Sequence, residues 1–194
     1  TVLDGIRQLA GEERTVLYEK GCSYLGEKVF PFHPNWFVDE KGGAGLTARY
    51  YNNWDLSGEP VVTRRDYMVN FNWIYAKPHA DVNAECFSVA WTGKLKAQGS
   101  FRGCLAIPGQ DSMRLYVDGK LLIDAWNLSD GKQKEEKAGR EAETEGRMAD
   151  FVFEAGREYE IRLEFCNDAR GARVVLGYNK GREDWQPALD IVKK

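Results

Sequence analysis

Residues 109–126 read GQDSMRLYVDGKLLIDAW, and this stretch decides the fold. It spells a polar turn, a strand, a tight hairpin and a second strand that ends at Trp126. Asp118-Gly119 is the hairpin signal, because this pair tolerates the positive φ angles of a type I′ turn. The turn at its start, Gln110-Asp111, raises the functional question. It either holds a ligand or only reverses the chain.

Outward from this run the period stays at two. LTARYY, PVVTRR, MVNFNW, CFSVAWTGKL, SFRGCLAI, MADFVF, EYEIRLEF and ARVVLGY are each strand-like and are punctuated by turn residues. That spacing predicts an antiparallel β-sandwich or barrel. In YEIRLEF, Tyr159, Ile161, Leu163 and Phe165 share one face, and Glu160, Arg162 and Glu164 share the other. This is the pattern of a strand with its core side in and its polar side in water. Residues 127–147 are intensely charged and read as a solvated loop or a long exposed hairpin.

The ends differ from the middle. Leu3, Ile6 and Leu9 have helical spacing closed by Gly11, RTVLYEKGC reads as a strand, and DWQPALDIVKK regains helical spacing. Residues 23–45 carry two prolines and four glycines and suit a linker or surface wrap. The division expected is a short α/β stub at 1–24, a linker at 25–45, the sandwich at 46–181 and a second, helical stub at 182–194. The fold class is therefore mainly β, with α/β stubs at both termini.

Composition narrows the functions. With 43% hydrophobic and 12% aromatic residues, the 194-residue chain can bury a core. Its net charge of -3 comes without a basic stripe, so nucleic acid is not an expected partner. No apolar run reaches the ~18 residues that span a bilayer, so no membrane partner is expected either. Cys22, Cys86, Cys104 and Cys166 lack metal-ligand spacing. One disulfide among them stays open beside the plainer reading of buried thiols. His33 and His79 stand apart from any carboxylate or serine at telling spacing, and GGAG at 42–45 neither follows a strand nor opens a helix.

FSVAWTGKLKAQGSFRGCLAI, DSMRLYVDGKLLIDAW, YEIRLEF and ARVVLGY together resemble the PA-fourteen module, a β-sandwich of the protective-antigen type. The resemblance covers about residues 45–179, and its W-x-G and D-G-K-L-L-I-D-x-W runs are fairly specific. LDGIRQLAGEERTVLYEKGC and PALDIVKK resemble the outer α/β domain of a family 3 glycoside hydrolase, which accepts such an insertion. The resemblance implies a parent of the β-glucosidase type, with periplasmic or extracellular residence. Its catalytic nucleophile and acid/base are expected outside these 194 residues, so the chain alone is expected to be inert and has no catalytic residue.

Glycan-binding members of that family carry two successive aspartates at the turn where this sequence has Gln110-Asp111, and they ligate calcium there. An amide in place of one carboxylate weakens a site for a hard cation, so no cofactor is expected beyond weakly held calcium. Asn167 and Asp168, in CNDARGAR, offer further oxygens or sugar-hydroxyl partners. Both turns are equally readable as plain chain reversals. Trp54 and Trp36 lie in expected loops and could stack on a sugar ring, whereas Trp73, Trp91 and Trp126 belong to strands. The carbohydrate-binding set is thus Asp111, Gln110, Asn167, Asp168 and Trp54.

The leading expectation is a specificity domain that walls the glycoside or oligosaccharide pocket of a family 3 β-glycosidase and packs on the host's catalytic domains. Either residues 74–85 or residues 127–147 would reach across. An autonomous calcium-dependent lectin and a purely structural spacer are the alternatives. Because an inserted domain enters and leaves its host at neighbouring points, residues 1–18 and 184–193 are expected to pack together or on a second copy.

Overall fold

A computed structural model of the chain describes residues 2–11, 16, 29–109, 111–126, 128–129, 132–133, 147–167 and 171–179. The expected first helix forms as α1, Val2–Ala10. The short strands β1 (Phe30–Pro31) and β2 (Phe37–Val38) flank a single 3-10 turn, Pro34–Trp36. Then come β3 (Leu46–Tyr51), β4 (Val62–Asp66), β5 (Asn70–Asn72), β6 (Phe87–Lys96), β7 (Phe101–Ala106), β8 (Ser112–Val117) and β9 (Lys120–Ala125). The last are β10 (Leu128–Ser129), β11 (Lys132–Gln133), β12 (Met148–Phe153), β13 (Glu158–Asn167), β14 (Arg173–Val175) and β15 (Gly177–Asn179).

All pairings are antiparallel. One sheet runs β1-β15-β7-β12, and a larger one runs β4-β3-β6-β13-β8-β9 with β2 also on β6. A buried cluster drawn from both sheets includes Leu46, Trp91, Leu105, Phe153 and Leu163. This is the expected antiparallel β-sandwich. β13 follows its alternation, with Tyr159, Ile161, Leu163 and Phe165 buried. Glu164 departs from it: the side chain is buried, and Arg162 donates to its carboxylate at 2.8 Å.

Two sequence signals acquire their physical cause. Asp118 and Gly119 have φ of 48° and 74°, as a type I′ turn requires, and Asp118 Oδ1 accepts Glu160 N at 2.9 Å. In the W-x-G run, Trp91 is fully buried, while a Cβ at Gly93 would lie 2.6 Å from the Val38 carbonyl. Only glycine lets β2 lie this close to β6.

The expected linker needs correction. From residue 29 onward it belongs to the sandwich, because β1 pairs with β15 and β2 with β6. Phe32 and Phe37 are buried, and Trp36 is not a loop platform: its ring stacks 5.4 Å from Tyr178 and meets Phe153 edge-on at 6.0 Å. Proline and glycine content marks irregular backbone, but three aromatic rings in sequence gain more from burial than the backbone loses in ordering. Within residues 127–147, β10 pairs with β11 as a short hairpin, but the last residue, Arg147, is 2% exposed.

The chain divides into two compact units, residues 1–28 with 181–194 and residues 29–180. In the first, Leu9 of α1 is 88% exposed rather than buried, while Trp185, Leu189 and Val192 lie outside the described residues. The expected strand at 14–22 and the helix at 182–194 also lie outside them, apart from Val16. Among the described residues, no helix is long and apolar enough to cross a membrane.

Candidate functional site

Antiparallel register gathers the long connections at one end of the sandwich. Tyr51, the last residue of β3, lies opposite Ser88 at the start of β6, and Phe87 lies opposite Asn167 at the end of β13. Ser112, opening β8, faces Cys166, and Ala125, closing β9, faces Met113. The connections that follow Tyr51, Ala106, Ala125 and Asn167, and the one that ends at Phe87, therefore leave the sandwich at this end. The 74–85 loop named above as a candidate to reach a substrate belongs to it, while most of residues 127–147 lies outside the described residues.

The two turns expected to converge do so. Asn167 Nδ2 donates to Asp111 Oδ1 at 3.3 Å, and the Arg173 amide donates to Asp111 Oδ2 at 3.2 Å. Asn167 is 1% exposed, and its Oδ1 is a buried acceptor with no hydrogen-bond partner. Buried polar atoms are nearly always paired, and an orphan costs about 1–3 kcal/mol, so such an atom marks a place where the fold tolerates a loss. Gln110 and Asp168, the other two predicted members, lie outside the described residues.

Arg147 was not legible in the sequence. Its Nη1 donates to the Asp111 carbonyl at 2.8 Å, and its own carbonyl accepts Ile107 N at 2.9 Å. The guanidinium is thus buried against the very turn that carries Asp111. A run of charged residues gives no periodic signal that one of them is inside.

The calcium implied by the resemblance can be tested on these atoms. Such an ion takes six to eight oxygens. Both Asp111 carboxylate oxygens already accept protein N–H groups, and its carbonyl accepts a guanidinium. No group of three or more His, Cys, Asp or Glu among the described residues could hold a metal. Among the described residues this turn offers calcium only the Asp111 carboxylate and the Asn167 amide oxygen, fewer oxygens than the ion takes. The orphan Asn167 oxygen is an acceptor for a hydroxyl donor, whether an ordered water or a ligand.

Trp54 stands half-exposed on the neighbouring 52–61 connection. Its loop is fixed by Ser57 N on Asp55 Oδ1 at 3.2 Å and by Ser88 Oγ on Asn53 Oδ1 at 3.3 Å. The Ser57 bonds also hold the Asp55 carboxyl below the usual carboxylate range. On the 73–86 loop, whose Asn83 amide donates to Asn52 Oδ1 at 2.8 Å, Tyr75 is 100% exposed and Ile74 is 49% exposed. Leu56 and Cys86, at the edges of these loops, have φ of 60° and 58°, a region that non-glycine residues rarely occupy. Such outliers cluster at ligand sites.

That loop is braced from the core. Tyr50 Oη and Trp91 Nε1 donate to Asp66 Oδ2 at 2.6 and 2.9 Å. Arg64 donates to Asp66 Oδ1 at 2.7 Å and through Nη1 to the Pro78 carbonyl at 2.8 Å. Burial first, and then the Asp66 charge, push the Tyr50 phenol far up, so it stays a proton donor.

A larger groove of 630 Å³ lies on the outer face of the seven-stranded sheet, beside Thr92, Lys94, Tyr116, Glu160 and Arg162. Its charges are occupied with one another: Lys94 pairs with Glu158 at 3.0 Å and Arg162 with Glu164 at 2.8 Å. Size alone does not make it the better site. Beside it, a backbone N–H from Gly43 holds the Asp39 carboxyl down, and the Arg49 guanidinium holds down Glu40. A general acid for glycoside cleavage needs the opposite shift.

The PA14 domain matches residues 42–188 of this chain. The chain belongs to the PA14 domain family. It is 32% identical over 134 residues to the anti-sigma-I factor RsgI3 of Acetivibrio thermocellus, covering 69% of this chain and 19% of that protein. An anti-sigma factor domain-containing protein from Clostridium clariflavum superposes with a TM-score of 0.57 at 29% identity, covering 72% of this chain and 44% of the other. The β-glucosidase of Kluyveromyces marxianus superposes with a TM-score of 0.63 at 18% identity, covering 86% of this chain and 21% of the enzyme. At that identity the likeness is one of fold alone. This PA14 chain spans less than half the length of each.

Proposed function

We propose that this PA14 domain is a glycan-recognition module of a larger carbohydrate-active protein and carries no catalysis of its own. The observation behind the reading is the buried, partnerless Asn167 Oδ1 beside the Asp111 carboxylate, at the end where the long loops gather. A sugar hydroxyl donating to that oxygen would satisfy it without a metal. The finer proposal places the domain in a family 3 β-glycosidase, periplasmic or extracellular, where it walls the pocket and disfavours long oligosaccharides. The fold shared with a β-glucosidase and the resemblance of both chain ends to that enzyme family support this host.

A second reading rests on the higher identity to an anti-sigma factor. In it the same site serves a regulatory host, as its sensing part rather than as a gate.

The test is a glycan array probed with the chain, followed by Asp111→Ala and Asn167→Ala. Binding that EDTA leaves intact and both substitutions abolish, with each variant still folded by circular dichroism at the assay temperature, is expected. An array with no saturable binder sinks the reading. Nitrophenyl glucosides should remain uncleaved. Deleting the domain from the longer polypeptide decides the host, since a gate changes chain-length preference in hydrolysis and a sensor does not.

A further inference from the structure

We propose that the pocket lined by Trp73, Ile74, Tyr75, Lys77, Glu85 and Gly171 is a pyranose subsite in which the Tyr75 ring stacks on the apolar face of a sugar. The proposal rests on the glycan-recognition reading and adds to it a place and a residue.

The cavity measures 370 Å³, toward the lower end of the ~300–1,000 Å³ typical of small-ligand sites. Its wall is amphipathic in the sense a sugar needs. Trp73, Ile74 and Tyr75 supply apolar surface for ring C–H groups, and Lys77 supplies a donor for hydroxyls. Lys77 Nζ donates to the Ala80 carbonyl at 3.2 Å, which uses one of its three N–H groups.

Tyr75 is fully exposed while Trp73, two residues before it, is 8% exposed, so the fold buries one aromatic and holds the other out. A mobile tip would explain that exposure, but this loop is pinned. Trp73 N donates to Ala172 O at 2.8 Å, Ile74 N to Asn72 Oδ1 at 3.2 Å and Asn83 N to Asn52 Oδ1 at 2.8 Å. Arg64 holds the Pro78 carbonyl from the sheet side. A preorganised aromatic loses little freedom on binding, which is how rigid contact residues gain affinity.

The subsite adjoins the polar pair. A Cβ on Gly171 would stand 3.5 Å from Ile74, and two residues later the Arg173 amide donates to Asp111. One short segment therefore touches both places, and two linked sugar rings can occupy them together. A ring with all-equatorial hydroxyls, as in β-linked glucose, presents the flat C–H face that stacking uses.

The test is NMR titration of the full chain with cellotetraose and with xylotetraose. Tyr75→Ala should weaken binding roughly tenfold, equivalent to about 1.4 kcal/mol, and Tyr75→Phe should stay within about twofold. Neither should move the melting temperature, since the side chain is exposed. If Tyr75→Ala binds like the unaltered chain while Asp111→Ala loses binding, the subsite is wrong and the glycan reading stands. If neither saccharide binds saturably, both are overturned.

Discussion

The two ends of the sandwich are built from the same strands and are organised in opposite ways. At the hairpin end, the turns close on their own backbone. Gly156 N donates to Ala97 O at 2.8 Å, Ala97 N to Arg157 O at 3.0 Å and Asp118 N to Glu160 O at 2.8 Å. Arg157 pairs with Glu154 at 2.9 Å and lies over the Tyr159 ring. At the loop end, Asn167 keeps an orphan carbonyl, Trp54 and Tyr75 face water, and Leu56 and Cys86 sit at unfavourable φ. Backbone closure is concentrated at the hairpin end, and local unfavourable features collect at the end where the proposed ligand would enter, the pattern expected of a stability–function trade-off within one domain.

The contrast is open to direct attack. Trp36→Ala, which empties the aromatic cluster of Phe101, Phe153 and Tyr178, should cost about 3–5 kcal/mol in urea unfolding. Asp66→Ala should cost about 3 kcal/mol, because it strands the Tyr50 hydroxyl, the Trp91 N–H and Arg64 together. It should also raise hydrogen exchange in residues 73–86, whose Pro78 carbonyl Arg64 holds; unchanged exchange there would break the link between core and loop.

A smaller effect comes from pH. The folded-state carboxyls of Asp39 and Glu40 are held below their unfolded values, so their contribution is complete at neutral pH. It is lost as pH falls below about 4 and through the lower folded values. Acid titration of the melting temperature should decline in that window, and Glu40→Gln should flatten the decline. The smallest stability effect is expected for Trp54→Ala, within about 0.5 kcal/mol of the unaltered chain. A large loss there would mean that this end also carries the fold.

Much of this was legible in the residues. The alternation of β13, the turn at Asp118-Gly119 and the glycine of the W-x-G run are local signals with local causes. The meeting of Asp111 with Asn167 was foreseeable because both end turns on neighbouring strands. Trp36 was not, since its proline-rich surroundings describe only the backbone while its burial depends on Phe153 and Tyr178, far along the chain. Arg147 ends a run of charge that reads as solvent-facing, and its burial depends on the Asp111 turn. Tyr75 looked like any loop residue, because side-chain exposure is decided by what the distant strands leave uncovered.

The central pairing of β6 with β13 also governs how the chain folds. It joins residues as distant as Phe87 and Asn167, 80 positions apart (167 − 87), and every strand between them must be accommodated as it forms. Closing so long a segment has an entropic cost before the contacts it allows can form, which places such sandwiches among the slow folders, in the range of about milliseconds to seconds. Until β13 docks, one edge of the ten-residue β6, which carries Phe87, Val89, Trp91 and Leu95, has no strand partner. In a chain still leaving the ribosome, β6 would be the segment most in need of a chaperone.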